Sequence, residues 1–241
     1  MVKMNKEEFY NELLKIDIEL TQLQKEQLDK YCNFLIDYNN HTNLTAIKDE
    51  DNIYLKHFYD SLTFIKAYKL NNEKVLDIGT GPGFPGMVLK IVFPNIKLTL
   101  LDSNNKKIKF LKELANLLNI NDINIIENRA EEYIKKEREN FDIVTSRAVS
   151  NLSILSEISL PFVKQNGYFI PLKGSNLNEI EEAKYAITIL GGKIEKIINF
   201  KLPVEESERN ILLIKKVNKT PSEYPRQYSK IVKNSLKKEV K

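Results

Sequence analysis

A glycine-rich turn that lies between two acidic residues is the part of this sequence best suited to bind a ligand. A short apolar segment runs into Asp77 and then into residues 79–86, which contain four glycines. Glycine has no Cβ and reaches positive φ, so such a turn brings a ligand close to the main chain. Pro85 suits the first position of a helix, where free amides favour polar or anionic groups. The turn therefore predicts a site for a nucleotide-like cofactor rather than an ordinary loop.

Two classes of cofactor site fit this turn. Gly81, Gly83 and Gly86 spell the G-x-G-x-x-G pattern of dinucleotide sites, and Asp102 follows about 20 residues later. That pattern starts two residues after the predicted strand end at Gly79, however, and an acid stands where such sites have an apolar residue. A dinucleotide site therefore fits less well than the second class.

The second class is the S-adenosylmethionine site of class I methyltransferases, whose first motif Asp77-x-Gly79-x-Gly81-x-Gly83 resembles. The resemblance implies that Asp77 and the turn backbone serve the methionine end of the cofactor. Asp102, at the end of the next predicted strand, would accept both ribose hydroxyls, and Ser103 beside it is also expected to bind the cofactor. A carboxylate suits that role because it only accepts hydrogen bonds.

The composition predicts a globular cytoplasmic protein. The chain has 241 residues, of which 42% are hydrophobic, and no apolar run approaches the roughly 20 residues that span a membrane. Residues 1–8 lack the apolar segment of a signal peptide. The one cysteine, Cys32, excludes an internal disulfide, and with two histidines it leaves little for a metal site. We expect a buried thiol at Cys32 and no bound metal.

The net charge of +4 is concentrated at the C-terminal end. Residues 219–241 hold seven basic and two acidic residues, so the rest of the chain is close to neutral. A basic terminal arm can grip a polyanion such as RNA. A solvated tail in a chain rich in lysine throughout explains the same charge equally well.

The hydropathy pattern divides the chain into a helical cap at residues 1–70, a core at 71–218 and a basic tail at 219–241, together one compact unit. In the cap, Thr21 and Gln24 form a capping box before the second predicted helix. In the core, strands and helices alternate, which predicts a parallel sheet with helices on both faces. The predicted strands are Lys74–Ile78, Lys97–Leu101, Ile123–Glu127, Phe141–Thr145, Tyr168–Leu172, Lys193–Leu202 and Asn210–Val217.

The last two predicted strands are joined by residues 203–209, which are too few for a crossover helix, so they should pair antiparallel. The fold class is therefore α/β, with a Rossmann-like, mostly parallel sheet of seven strands and an antiparallel last strand. This is the class I methyltransferase arrangement.

Ligands of such sheets bind beyond the carboxyl ends of the strands. Ala130 and Glu131 follow the third strand, where they either contact an adenine or simply start a helix. Arg147 and Lys173 follow the fourth and fifth strands, and two cations beside a cationic cofactor require an anionic partner. A phosphate backbone would supply it.

Five motifs in order resemble the RsmG family, the bacterial 16S ribosomal RNA guanine-N7 methyltransferases also called GidB. The motifs are Asn43–Ile47, His57–Leu62, Asp77–Gly86, Ser146–Val149 and Leu172–Gly174. The resemblance implies a monomeric enzyme that uses S-adenosylmethionine. Its substrate would be one guanine of 16S ribosomal RNA, presented as naked RNA or in the small ribosomal subunit.

The family also implies contacts at single positions. Gly79 and Phe84 would contact the cofactor in the turn, Ala130 and Glu131 would contact its adenosine part, and Arg147 would line the pocket. Tyr224-Pro225-Arg226 matches a family motif, which gives Arg226 as an RNA contact. Residues 227–238 lack the glycine and prolines that usually follow it.

Guanine N7 carries a lone pair and no proton, so we expect no general base, and positioning by Arg147 and Lys173 instead. The sequence has neither a cysteine near the strand ends nor the Asn/Asp-Pro-Pro-aromatic motif of amine methyltransferases.

His57 and Asp60, three residues apart, could form an acid–base or metal pair. We favour a hydrogen-bonded pair that closes the cap over the cofactor. A small-metabolite methyltransferase and a non-catalytic RNA-binding module are the alternative functions.

Overall fold

A computed structural model of the chain describes residues 3–147 and 150–236. Residues 148–149 of the fourth motif and residues 237–241, which carry three lysines of the predicted basic tail, lie outside the described residues. Within the described residues, no helix has the length and apolar content that crossing a membrane requires.

Seven strands form one sheet in the order β3-β2-β1-β4-β5-β7-β6. β7 is antiparallel to both of its neighbours, and the other pairs are parallel. This confirms the predicted fold class, including the antiparallel pairing of the last two strands. The strands are β1 Lys74–Ile78, β2 Lys97–Asp102, β3 Ile123–Glu127, β4 Phe141–Arg147, β5 Val163–Lys173, β6 Gly192–Lys201 and β7 Glu208–Lys216.

Helices cover both faces of the sheet and bury two separate apolar clusters. One cluster lies under the N-terminal helices together with α5 and α6, and the other lies under α7 to α10. The N-terminal helices are α1 Lys6–Leu14, α2 Gln22–Thr42, α3 Glu50–Ile53 and α4 Asp60–Leu62. The remaining helices are α5 Gly86–Val92, α6 Asn105–Leu117, α7 Ala130–Glu137, α8 Leu152–Ser159, α9 Asn178–Ile189 and α10 Tyr228–Lys233.

The cap contains one irregular helical segment. A π-helical stretch, Tyr54–Tyr59, joins α3 to α4, and a short 3₁₀ turn, Thr63–Lys66, follows. The wider turn of a π-helix does not alter apolar spacing enough to be read from the sequence, which predicted an ordinary helix here. The capping box of Thr21 and Gln24 is present at the start of α2.

Several strand boundaries differ from the prediction, most of them by one or two residues, and β5 begins five residues earlier than predicted, at Val163 rather than Tyr168. β4 ends at Arg147 rather than Thr145, because its pairing with β5 continues through Ser146 and Arg147. These two residues therefore belong to the strand and do not follow it. α5 begins at Gly86, and Pro85 precedes it at the N-cap position.

The cap meets the core at the glycine-rich turn between β1 and α5. The Tyr31 hydroxyl of α2 donates to the carbonyl oxygen of Pro82 at 2.5 Å. The Tyr31 ring also stacks on Phe84, with centroids 5.4 Å apart and planes 10° apart. Gly83, with φ +109°, leaves the space that this tyrosine fills. The cap is thus fitted against the main chain of the turn.

This fit predicts that Gly83→Ala is destabilising. A Cβ at Gly83 would lie 2.6 Å from the Tyr31 hydroxyl oxygen and 2.9 Å from the Met87 Cβ, and the positive φ adds strain. Urea unfolding should show a loss of about 1–3 kcal/mol in the free energy of unfolding. Gly174→Ala is the matched control, because a Cβ there meets nothing within 4 Å and its loss should be well below that of Gly83→Ala. Equal losses would show that Tyr31 does not press on the turn.

Candidate active site

A cavity of about 580 Å³ opens at the carboxyl ends of the first four strands. Its size is within the range of small-molecule sites. It brings together eight of the ten residues that were predicted to bind the cofactor. They are Gly79, Gly81, Phe84, Asp102, Ser103, Ala130, Glu131 and Arg147. Asp77 and Gly83 do not line this cavity.

The backbone amides of the turn are all used inside the protein. Between Gly79 and Met87 every residue with an N–H donates to a backbone carbonyl or a carboxylate, and Pro82 and Pro85 have none. The prediction that these amides favour an anionic group is therefore wrong. A dinucleotide pyrophosphate would find no free amide donor in this turn.

Asp77 stabilises the turn from behind. Its Oδ2 accepts from the Thr80 hydroxyl at 2.7 Å and from the Gly86 amide at 2.9 Å. The side chain is fully buried, and Oδ1 has no hydrogen-bond partner among the described residues. Burial raises the pKa of this carboxyl to about 7. Asp77 thus supports the turn without lining the cavity, and its predicted contact with the methionine end of a cofactor stays a prediction.

Asp102 reaches the cavity from the end of β2. Its Oδ2 accepts from the Gly81 amide at 3.0 Å and lies 3.5 Å from the Lys107 ammonium, while Oδ1 accepts from the Asn104 amide at 2.9 Å. Each carboxylate oxygen can accept a second hydrogen bond. Asp102 can therefore hold the turn and still accept from hydroxyl groups of a ligand.

The third strand end contributes the start of a helix. α7 begins at Ala130, and its N-cap residue Arg129 makes no side-chain cap, so the amides of Ala130 and Glu131 remain available to a ligand, whereas that of Glu132 donates to the Arg129 carbonyl oxygen. Glu131 in this turn is largely buried, and its Oε1 lies 3.9 Å from the Arg129 guanidinium. Ala130 and Glu131 thus both start a helix and line the cavity.

Arg147 is held by the cap. Its Nη1 donates to the Lys56 carbonyl oxygen at 2.8 Å and to Asp60 Oδ2 at 3.1 Å. Its Nη2 donates to His57 Nδ1 at 3.0 Å. An arginine nitrogen only donates, so His57 Nδ1 must accept, and the proton of the ring sits on Nε2, which donates to the Thr45 hydroxyl oxygen at 3.0 Å.

His57 is a neutral residue in this site. Burial, and secondarily the charge of Arg147, lower its pKa to about 3. Its ring stacks on Phe84, with centroids 4.2 Å apart and planes 13° apart. Within the described residues, no group of three metal-ligating side chains gathers here or elsewhere.

The structure corrects the predicted pairing of His57 with Asp60. These residues do not bond to each other, because both bond to Arg147, and Asp60 Oδ1 also accepts from Arg209 Nε at 3.1 Å. The acid therefore lies between two arginines.

The premise that Arg147 and Lys173 require an external anion is also wrong. Asp60 pairs with Arg147 and shares its charge with Arg209, and Glu179 of α9 lies 3.1 Å from the Lys173 ammonium, with the Lys173 and Glu179 side chains about nine-tenths buried. Lys173 also donates to the Ser150 carbonyl oxygen at 2.7 Å. Each of the two cations therefore has a carboxylate partner within the chain itself.

A second cavity, of about 440 Å³, adjoins the first. Of the residues that the structure describes, His57 and Arg147 are the two that line both cavities. Lys173, Phe200 and Asn210 are among the residues that line the second cavity alone. The hydrogen-bonded His57–Arg147 pair is thus the boundary between two neighbouring ligand-sized spaces.

Sequence reasoning missed several residues of the first cavity. Thr45 lies within a recognised motif but received no role, because its bond to the histidine appears only after folding. Lys107 follows Asp102 closely in the chain, and that spacing could have indicated it. Tyr228 lies far along the chain, and no pattern connects it with the strand ends.

Comparisons with known proteins agree with this geometry. A family model described as rRNA small subunit methyltransferase G matches residues 24–212. The ribosomal RNA small subunit methyltransferase G of Bacillus cytotoxicus is 49% identical over 228 residues, which are 93% of this chain and 95% of that protein. The protein of the same name from Bacillus cereus is 47% identical with the same coverage.

Among solved structures, a SAM dependent methyltransferase from Aquifex aeolicus superposes with a TM-score of 0.53 at 16% identity. The match covers 72% of this chain and 97% of that one. At this identity the likeness shows the fold, which is that of the S-adenosylmethionine-dependent methyltransferases.

The environment of Asp77 predicts a pH dependence of stability. Its pKa of about 7 lies above the value near 4 of an unfolded chain, so the folded protein binds more protons between these values. Its contribution to stability is full below about pH 4 and is lost as the pH rises through about 7. His57 acts in the opposite sense, because its lowered pKa makes stability rise from about pH 3 to about 6.5.

The variant Asp77→Asn separates the contribution of Asp77 to the pH dependence of stability from that of His57. The wild-type free energy of unfolding, minus that of Asp77→Asn, should fall as the pH rises from about 4 to 7, by up to about 1.4 kcal/mol per pH unit. Urea titrations of both proteins at half-unit pH steps measure this difference. A difference that rises or stays constant with pH would show that Asp77 is ionised in the folded protein.

Proposed function

The chain belongs to the rRNA small subunit methyltransferase G (GidB) family, and on that premise we propose that it transfers a methyl group from S-adenosylmethionine to N7 of one guanine in 16S ribosomal RNA. The observation that carries the proposal is the first cavity. Its turn has no amide left for a phosphate, and Asp102 offers a carboxylate to a ribose. These features support a nucleoside cofactor without a pyrophosphate, and S-adenosylmethionine is such a cofactor.

Each part of the cofactor has residues to hold it. Asp102 and Ser103 accept the ribose hydroxyls, and the amides at Ala130 and Glu131 meet the edge of the adenine. The main chain at Gly79 and Gly81 lies along the methionine end, and Asp77 keeps that main chain in place. When bound, the cofactor supplies a methyl group on a positively charged sulfur.

The residues at the boundary between the cavities suit an acceptor that has no proton to lose. Guanine N7 presents a lone pair in the plane of the ring. The one histidine at the boundary, His57, has a pKa of about 3, and its Nδ1 is occupied by Arg147. The protein therefore contributes by aligning the acceptor and excluding water, a type of contribution that reaches about 7–11 kcal/mol in well-oriented systems.

The second cavity is the place for the guanine. Among the described residues it shares His57 and Arg147 with the cofactor cavity, and a base that is to be methylated at N7 must turn that edge towards this boundary. Arginine commonly donates to the O6 and N7 atoms of guanine. With N7 reserved for the methyl group, Arg147 donates to O6, and Phe200 provides an aromatic surface in the same cavity.

The proposed RNA contacts differ in their structural support. Arg147 and Lys173 both line the second cavity, and they remain proposed contacts of the target nucleotide. Arg226 lies elsewhere and is bonded to Glu157, with Nη2 and Oε2 2.6 Å apart. Its contact with RNA stays a prediction without support from this geometry. The substrate is 16S ribosomal RNA, either free or within the small ribosomal subunit.

Transfer of a labelled methyl group tests the proposal directly. S-adenosylmethionine with a labelled methyl group is incubated with small ribosomal subunits, naked 16S ribosomal RNA and free guanosine. We expect label at a single RNA position, which becomes sensitive to cleavage at 7-methylguanine. Gly79→Asp, which puts a carboxylate into the cofactor cavity, is the inactive control.

Two results would contradict the proposal. Label at another atom or at several positions would remove the assigned acceptor. No label in any RNA, with cofactor binding intact, would move the search to a small-metabolite substrate or to RNA binding without catalysis.

The absence of a base predicts a flat pH profile. The rate constant for methyl transfer at saturating substrates should change less than about twofold from pH 6 to 8.5, because no group has to give or take a proton. The same profile measured for Asp77→Asn removes any effect of Asp77 titration on the folded population. A rate constant that still falls below about pH 7 in this variant would show an essential base and refute the mechanism.

A further inference from the structure

The C-terminal arm, which we define as residues 219–236, lies against the body of the protein. The family model ends at residue 212, before the arm begins. Most of the arm has no regular structure, and it ends in the short helix α10. The arm contains a large part of the basic tail that was predicted to contact RNA. Its position in the fold points to a different role.

Two arginines attach the arm. The Arg226 backbone amide and Nε both donate to Glu157 Oε1, at 3.0 and 2.8 Å, and Nη2 donates to Oε2. Glu157 is fully buried in α8. At the base of the arm, the Arg138 guanidinium donates to the carbonyl oxygens of Thr220, Pro221 and Tyr224 at 2.8–3.0 Å. A buried carboxylate that is paired with the arm fixes the course of the chain over α8.

α10 turns one face towards the body. Ile231 is fully buried in the same apolar cluster as Ile158 of α8. Tyr228 precedes Ile231 by three residues, and residues three apart share a helix face. Tyr228 and Ile158 both line the cofactor cavity, and Ala130, which also lines it, belongs to the same apolar cluster as Ile158 and Ile231. Tyr228 is 36% exposed, so part of the side chain is free to meet a ligand.

From this position we infer that Tyr228 contacts the adenosine half of the cofactor and closes the cavity over it. The inference rests on the proposed function, which places the adenosine at Ala130 and Glu131. A tyrosine ring offers a flat apolar face to a purine and keeps its hydroxyl at the solvent edge. The arm is thus part of the cofactor site, and Arg226 acts as a positioning residue that holds it there.

A tryptophan reporter tests the position of Tyr228. The chain contains no tryptophan, so Tyr228→Trp introduces a single tryptophan. Val232→Trp is the matched control, because Val232 lies on the same helix, is 52% exposed and does not line the cavity. Titration with S-adenosylhomocysteine should change the emission of Tyr228→Trp and leave that of Val232→Trp unchanged. Equal responses of the two reporters would overturn the inference.

Calorimetry then measures the contribution of the ring. Tyr228→Ala should weaken binding of S-adenosylhomocysteine about tenfold, as expected when a purine loses an aromatic stacking partner. Tyr228→Phe and Val232→Ala should bind within about twofold of the wild type, because they keep the ring. Unliganded melting temperatures of the variants establish that each is folded.

The outcomes separate this inference from the proposed function. Wild-type protein that does not bind S-adenosylhomocysteine would overturn the cofactor assignment, and the inference with it. Wild-type binding that Tyr228→Ala leaves unchanged would refute the role of Tyr228 alone. The same tenfold loss for 5′-methylthioadenosine would confirm that the contact is with the adenosine half, and an undiminished affinity for it would refute that contact.

Discussion

The hydrogen bonding of two aspartates to one glycine-rich turn is the constraint on which the site depends. Asp77 and Asp102 end neighbouring strands and bind the amides of Gly86 and Gly81, at the two sides of the turn. With the remaining amides bonded to nearby carbonyls, the main chain of the turn has one shape. The cap is fitted to that shape through Tyr31, and the cofactor cavity is bounded by it. The same carboxylates thus determine which ligand the turn can accept, because they occupy donors that a phosphate would need.

The sequence predicts the architecture well because the signals are local. The predicted bounds of β1 and β3 match the structure, since each is an apolar run that ends in polar or glycine residues. The end of β4 was missed by two residues, because its length is decided by pairing with β5 and not by its own composition. Eight of the ten predicted cofactor residues line one cavity, since strand ends of a parallel sheet converge at one edge.

What the sequence could not provide is the partner of each buried charge. Arg147 and Asp60 are 87 positions apart, and their pairing exists only because the cap folds over the end of β4. Glu179, the partner of Lys173, reaches it from α9. Without these contacts Arg147 and Lys173 look like free cations in the sequence. The expected need for an external phosphate followed from that view. Tyr228 was missed for the same reason, because its place depends on the buried Glu157 holding the arm.

The π-helical stretch Tyr54–Tyr59 carries groups of the cap that face Arg147. The Lys56 carbonyl and the His57 ring belong to this stretch, and the Asp60 carboxylate directly follows it. All three bond to the Arg147 guanidinium. A π-turn accommodates one more residue than an α-turn, whereas each residue of an α-helix advances by about 100°. Removal of one residue from this stretch would therefore regularise the helix and rotate the residues before it against those after it, which would disturb the set of groups that bond to Arg147. The number of residues between α3 and α4 is for this reason as constrained as their identity.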